Sequence, residues 1–352
     1  MSNNELRYSM PAEWESHEAT WIGWPHNVSD WPGKFAPIPW VFADIVQKIY
    51  PGETVRILVE SRGHELKARK VLVRAGVDAS RVEFFRVPTD RGWTRDSGPI
   101  FVRPNDGKEL FIARFRFNAW AKYTNWKKDI QVPSRLAKTL RKKITEVEFQ
   151  GCSVVLEGGS IDVNGSGTLI TTEECLLDPQ VQIRNPGFGK HDYSEVFKEF
   201  LGISNVLWLG KGIAGDDTHG HVDDLCRFVN KNTVVLCSEK NSKDANYHLL
   251  NENRERLEGM RIEDGSKVQV VELPMPGPVV FDGQRLPASY ANFYIANAAV
   301  IVPTFNDRND RIALGILSEL ITGRPVVGIH AVDLVWGLGT LHCLTQQQPS
   351  SN

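Results

Sequence analysis

Gly215-Asp216-Asp217-Thr218-His219-Gly220-His221-Val222-Asp223-Asp224 places four carboxylates and two imidazoles in ten residues and runs into the strand-like Leu225-Cys226-Arg227-Phe228-Val229. Asn230-Lys231-Asn232 reads as a turn, after which the chain returns through Thr233 to Cys237. A polar mouth followed by a hairpin is the local unit, and its recurrence decides the fold. Asp90-Arg91-Gly92-Trp93-Thr94-Arg95-Asp96-Ser97-Gly98-Pro99 enters Ile100 to Arg103, turns at Asn105-Asp106-Gly107 and returns from Leu110 to Phe117. Leu156-Glu157-Gly158-Gly159-Ser160 enters Ile161 to Val163, turns at Asn164-Gly165-Ser166-Gly167 and returns from Thr168 to Thr172. Ser289-Tyr290-Ala291-Asn292 enters Phe293 to Ala296 and continues through Ala299 to Pro303.

A helix and then a strand follow each hairpin. The periodicity predicts Val132 to Lys143 with Ile144 to Phe149, and Asp192 to Phe200 with Asn205 to Leu209. The series continues with Asn246 to Leu257 and Lys267 to Leu273, then Asp310 to Leu320 and Pro325 to Ile329. Asp96, Glu157, Asp223, Asn292 and Cys343 mark the units at spacings of 61, 66, 69 and 51 residues. This is a repeat of element order, not of residue identity. It predicts five units, and a toroid of such units would deliver every marker to its axis.

Ahead of the series, helical patterning from Pro39 to Tyr50 precedes a strand at Thr54 to Glu60. A helix from Gly63 to Arg74 and a strand at Arg81 to Val87 follow. Pro11 to Pro39 is dense in Trp and Pro, which suits either the wall of a pocket for a flexible cationic ligand or half-buried core packing.

Composition narrows the function classes. In 352 residues, 43 acidic side chains nearly cancel 41 basic ones, so bulk charge suggests neither nucleic acid nor anionic membrane as a partner. Arg135, Lys138, Arg141, Lys142 and Lys143 fit the solvated face of a helix that buries Leu136, Ala137 and Leu140. No linker interrupts the chain, so residues 1–352 are expected to form one catalytic domain. The polar start Met1 to Met10 lacks the apolar core of a signal peptide, and a cytoplasmic location is the expectation. Of five cysteines, Cys152, Cys175, Cys226 and Cys237 sit in strand-like apolar runs and read as core. Cys343 stands in a loop behind Gly337 and Gly339, where a substrate can approach the backbone closely. Its neighbour His342 is expected to point away from it.

Two chemistries compete for the opening stretch. Were it extended, His219, His221 and Asp223 would share one face and Asp224 the other. His-x-His-x-Asp can ligate zinc, although Asp224 stands where zinc hydrolases of the metallo-β-lactamase type carry a further His. Without metal, an imidazole beside carboxylates and a thiol suits attack on a planar cation: a guanidinium carbon needs a thiolate, and paired carboxylates hold its N–H groups.

Together these stretches resemble the agmatine deiminases. The likeness is carried by Pro11-Ala12-Glu13-Trp14, Gly92 to Pro99, Leu156 to Ser160, Gly220-His221-Val222-Asp223, Ser289 to Tyr294, and His342-Cys343-Leu344-Thr345-Gln346-Gln347-Gln348-Pro349. The resemblance implies an α/β pentein fold, a five-bladed pseudo-symmetric ββαβ propeller. It also implies Cys343 as nucleophile, Asp96 and Asp223 clamping the guanidinium, His221 as general acid and base, and Glu157 orienting His221. Trp93 and Asn292 would face the substrate. Agmatine would be hydrolysed to N-carbamoylputrescine and ammonia without metal or other cofactor, by a protein that is commonly a homo-oligomer. Leu338 and Thr340 interrupt the denser glycine run usual in that family, and Leu341 replaces an Ile. Related deiminases act on arginine or peptidyl-arginine, and the zinc hydrolase remains the alternative of another class. Asp216, Asp217 and Asp224 are the candidates for the distal ammonium.

Overall fold

The computed structural model describes residues 7–105 and 109–351. Asp106 and Gly107 of the expected turn, the first six residues of the polar start and Asn352 lie outside them. Four sheets follow one plan. Asp162–Val163 pairs antiparallel with Thr168–Thr172, which pairs parallel with Asn205–Leu209 across the helix Lys190–Leu201. The hairpin closes because Asn164 Oδ1 accepts from the backbone N–H of Ser166 and of Thr168, at 2.9 and 3.0 Å. Cys226–Phe228, Thr233–Ser238 and Gln269–Pro274 repeat the arrangement around the helix Asn246–Leu257. Tyr294–Ile295, Val300–Thr304 and Val326–His330 repeat it around Asn309–Leu320. Ile100–Pro104, Phe111–Arg114 and Lys143–Glu146 repeat it around Val132–Leu140, with Tyr8–Ser9 added at the edge.

The fifth sheet is made by both ends of the chain. Thr345–Pro349 pairs antiparallel with His17–Gly23, setting Gln346 opposite Trp21. His17–Gly23 then pairs parallel with Thr54–Leu58 across the helix Ile38–Ile49, and Thr54–Leu58 with Val82–Phe85 across Arg62–Arg74. The marker at Cys343 therefore enters a hairpin like the others, whose second strand comes from the N-terminal segment. The aromatics of that segment are core and not a pocket wall: Trp21, Trp24 and Trp31 are 0%, 3% and 1% exposed.

Central strands such as Thr168–Thr172 are covered on both faces, which accounts for apolar runs where half-buried strands would alternate. Val132–Leu140 buries Leu136 and Ala137 as its pattern predicts, with Val132 added and Leu140 only half-buried at the end, because the helix stops at Arg141, whose φ is 54°. Lys142 and Lys143 thus lie beyond it. Two cysteines depart from expectation. Cys152 is exposed in a short hairpin, and Cys175 is buried in the helix Glu173–Leu177. No helix among the described residues is long and apolar enough to cross a membrane.

Glu13 ties these sheets together. Its Oε1 accepts from Arg227 Nη2 and the Ile295 N–H, both at 2.9 Å, and its Oε2 accepts from Arg95 Nη2 at 3.0 Å and His342 Nε2 at 2.8 Å. Burial alone would raise its pKa, but Arg227, His342 and Arg95 hold the carboxyl well below the usual range. Glu13→Ala would leave two buried guanidinium groups short of a counter-charge, and we expect a loss of about 3–5 kcal/mol. Urea unfolding checks this; an unchanged midpoint would show that Arg95 and Arg227 are satisfied by their other partners.

Candidate active site

Each chemical residue sits on a tight turn at the entry to a hairpin. Asp96 lies in the single turn Thr94–Ser97, Glu157 caps Gly158–Ser160, Asp223 lies in Val222–Asp224, and Cys343 lies in Leu341–Leu344. The strands behind these turns fix where the side chains converge. Asp96 Oδ1 accepts from the Gly159 N–H at 3.0 Å, and its Oδ2 accepts from Trp120 Nε1 at 2.9 Å. His221 Nδ1 stands 3.8 Å from Asp96 Oδ1 and 4.0 Å from Asp223 Oδ1, while its Nε2 is 3.6 Å from Glu157 Oε2. Glu157 is held more closely by Arg184, whose Nε lies 3.2 and 3.3 Å from the two carboxylate oxygens. Asp223 Oδ2 faces His342 Nδ1 at 2.7 Å and the Cys343 sulfur at 3.7 Å. Asn292 Nδ2 donates to Cys343 Sγ at 3.1 Å. Asp96, Glu157, His221, Asp223, Asn292 and Cys343 are thus gathered in one place, all nine-tenths or more buried.

Two glycines are required for that convergence. A Cβ on Gly159 would lie 2.6 Å from His221 Nδ1 and 2.8 Å from Asp96 Oδ1. One on Gly339 would lie 2.9 Å from the Trp93 ring and 3.2 Å from Cys343 Sγ.

The electrostatics are those of a site with surplus negative charge. Burial pushes the Asp96 carboxyl up to about 6; His221 counters this, and Asp223 and Glu157 add to it. Burial also works against Glu157 and Asp223, but Arg184 holds the first below its ordinary value and His342 the second. The His221 imidazole is raised well above its usual range, because Asp96, Cys175 and Glu157 outweigh its desolvation. Burial, Asp223, Asp224 and Asp96 together push the Cys343 thiol well up. A flat cation placed among these groups relieves the repulsion between carboxylates and favours the thiolate.

A cleft of about 110 Å³ leads from solvent to Cys343, walled by Trp93, Trp120 and Tyr123. Trp31 backs Trp93 with ring centroids 5.4 Å apart, so the N-terminal aromatics support the wall and do not form it. At the mouth Arg91 Nη1 pairs with Asp30 at 2.6 Å, and Asp217 accepts from the Tyr123 hydroxyl at 2.7 Å. Among the three candidates for a distal cation, Asp217 lines this cleft. Asp216 is used within its own loop, bonding the N–H groups of Thr218, Gly220 and His221. Asp224 is buried against Asn292.

The face expected to carry His219, His221 and Asp223 does not form. His219 has φ 65° and Val222–Asp224 is a 3-10 turn, so alternation fails. His219 Nε2 instead contacts Asp178 Oδ2 at 2.8 Å. His342, expected to point away from Cys343, is not part of the cleft lining and bridges Asp223 to Glu13. Glu13, Arg184, Trp120 and Cys175 were not singled out as site residues by the sequence. The available hint was charge in apolar surroundings, as in Arg227 within Cys226–Phe228.

Comparison with known proteins places these features in a family. The model of the Porphyromonas-type peptidyl-arginine deiminases matches residues 9–349. A putative agmatine deiminase of Mycoplasma capricolum is 35% identical over 97% of this chain and 96% of its own. The agmatine deiminase of Stutzerimonas stutzeri is 34% identical over the same shares. The solved agmatine deiminase of Enterococcus faecalis superposes with a TM-score of 0.88 at 29% identity, covering 98% of this chain and 96% of its own.

The raised Asp96 carboxyl has a consequence for stability. Below its ordinary value of 3.8 the group is protonated folded and unfolded; as pH rises through about 6 the folded state must carry a desolvated carboxylate, so stability falls. Asp96→Asn should therefore be more stable than the parent at pH 8, on the order of 1–3 kcal/mol, with the gain fading by pH 4. Denaturant melts at the two pH values check this; a gain of equal size at both would show that it does not arise from ionisation.

Proposed function

The chain belongs to the Porphyromonas-type peptidyl-arginine deiminase family, and from that membership and the site we propose that it hydrolyses agmatine to N-carbamoylputrescine and ammonia. The observation that carries the reading is the convergence of a thiol, an imidazole and the Asp96 and Asp223 carboxylates at the base of one narrow aromatic cleft. Its agreement with relatives named agmatine deiminase over nearly their whole length supports the small substrate. On this reading the five sheets are blades of a pentein propeller, and the chain is one catalytic domain.

Asp96 and Asp223 grip the guanidinium N–H groups, and Trp93 bounds the alkyl chain. The substrate's charge draws Cys343 to the thiolate, which attacks the guanidinium carbon. A C–S bond forms and the C=N π pair moves to nitrogen. His221 then protonates the departing nitrogen as the C–N bond breaks, releasing ammonia. Water adds to the resulting amidino-thioether, giving one proton to His221; the C–S bond then breaks with its pair returning to sulfur as the new hydroxyl releases its proton to solvent and becomes the carbonyl. Glu157, itself held by Arg184, keeps the His221 ring in place and favours its protonated form.

Ammonia release by chelator-treated protein tests this, with agmatine, free arginine and a blocked peptidyl-arginine compared. We expect turnover of agmatine alone, reduced ~10³-fold or more in Cys343→Ala. Preference for the blocked peptidyl-arginine would assign the substrate named by the family instead. Activity lost to chelator and retained in Cys343→Ala would overturn the thiol mechanism.

A further inference from the structure

We propose that Asn292 holds the Cys343 sulfur as a thiolate, and that Thr340 sets the direction of its carboxamide. This rests on Cys343 being the nucleophile, as above. The amide direction follows from the backbone. Asn292 Oδ1 faces the His342 N–H at 3.0 Å, a group that can only donate, so the atom turned toward it is the oxygen. The Thr340 hydroxyl donates to the same oxygen at 2.7 Å. Nδ2 must then point the other way, and its two hydrogens go to Asp224 Oδ1 at 3.0 Å and Cys343 Sγ at 3.1 Å. The Asn292 side chain is fully buried and every one of these groups belongs to the protein, so the donor is in place whether or not substrate is bound.

The chemistry needs such a donor most in the second half of the reaction. During attack the guanidinium charge itself favours the thiolate. When the C–S bond breaks, the carbon product is a neutral urea and ammonia has gone, while Asp223 Oδ2 still faces the sulfur at 3.7 Å. The sulfur must take back its electron pair beside a carboxylate, and a fixed N–H lowers the barrier to that step. Thr340 stands three residues before the nucleophile, in the loop that presents it. A threonine hydroxyl there bonds the carboxamide that serves the nucleophile.

The test is the pH dependence of Cys343 alkylation by iodoacetamide, followed on the peptide that carries Cys343, beside kcat and KM for agmatine. Asn292→Asp keeps an acceptor for His342 and Thr340 but replaces the donor facing sulfur with an oxygen. The alkylation midpoint should rise by about one to two pH units, and kcat should fall about 10- to 100-fold with little change in KM. Thr340→Val should give a smaller shift in the same direction, and Thr340→Ser should restore the parent profile. A folded Asn292→Asp with the parent midpoint and kcat overturns the proposal. Should that variant not fold, Thr340→Val with an unshifted midpoint overturns it equally. Failure of the nucleophile assignment reads differently, as turnover that persists in Cys343→Ala.

Discussion

The carboxylate of Glu13 is the constraint on which the molecule turns. It sits near the beginning of the chain, yet it joins Arg95 in the turn Thr94–Ser97, and Arg227 and the Ile295 backbone in two different sheets, to His342 at the end. Buried ion pairs of this kind often contribute little net stability, because desolvation cancels much of the attraction. What they supply here is position. Glu13 holds one nitrogen of His342, the other nitrogen meets Asp223, and Asp223 faces the Cys343 sulfur. A residue with no place in the cleft thereby sets the orientation of one that has.

That arrangement explains how so much negative charge is tolerated in one cavity. Each carboxylate that stays ionised has a close partner: Arg184 for Glu157, the His342 ring nitrogen for Asp223, Arg95 and Arg227 for Glu13. Asp96 has none of comparable closeness, with His221 at 3.8 Å, and it is the carboxyl that burial raises. Asp224 is raised as well. The imbalance falls where a substrate cation would lie, so the folded protein carries a strain that the ligand removes.

The sequence made local structure legible wherever turn chemistry fixed it. Asn164 and Asn230 close their hairpins through their side chains, and the strands Thr168–Thr172 and Asn205–Leu209 fall where the pattern places them. Pairing between distant segments left no such mark. Nothing in Thr345–Pro349 announces His17–Gly23 as its partner, so the unit built from the two ends became visible only in three dimensions. The site was legible as residues but not as geometry. Alternation would group His219 with His221, and the left-handed backbone at His219 (φ 65°) and Gly220 (φ 92°) breaks it. Arg184 and Glu13 escaped notice because their partners lie far off in sequence, a relation that periodicity cannot encode.

The loop before the nucleophile shows which of its positions need glycine. Leu338 adopts φ 68°, a left-handed conformation that costs a non-glycine residue on the order of 1 kcal/mol, and it remains half-buried at the edge of the cleft. Gly339 has no such freedom, since the Trp93 ring and the Cys343 side chain fill the space a Cβ would need. A side chain at 338 therefore strains the backbone without blocking the thiol, whereas one at 339 would displace either the nucleophile or the wall. Thr340 follows with its hydroxyl bonded to Asn292. Leucine is accommodated at 338 as torsion and threonine at 340 as an added contact, while the position between them is fixed by the sulfur.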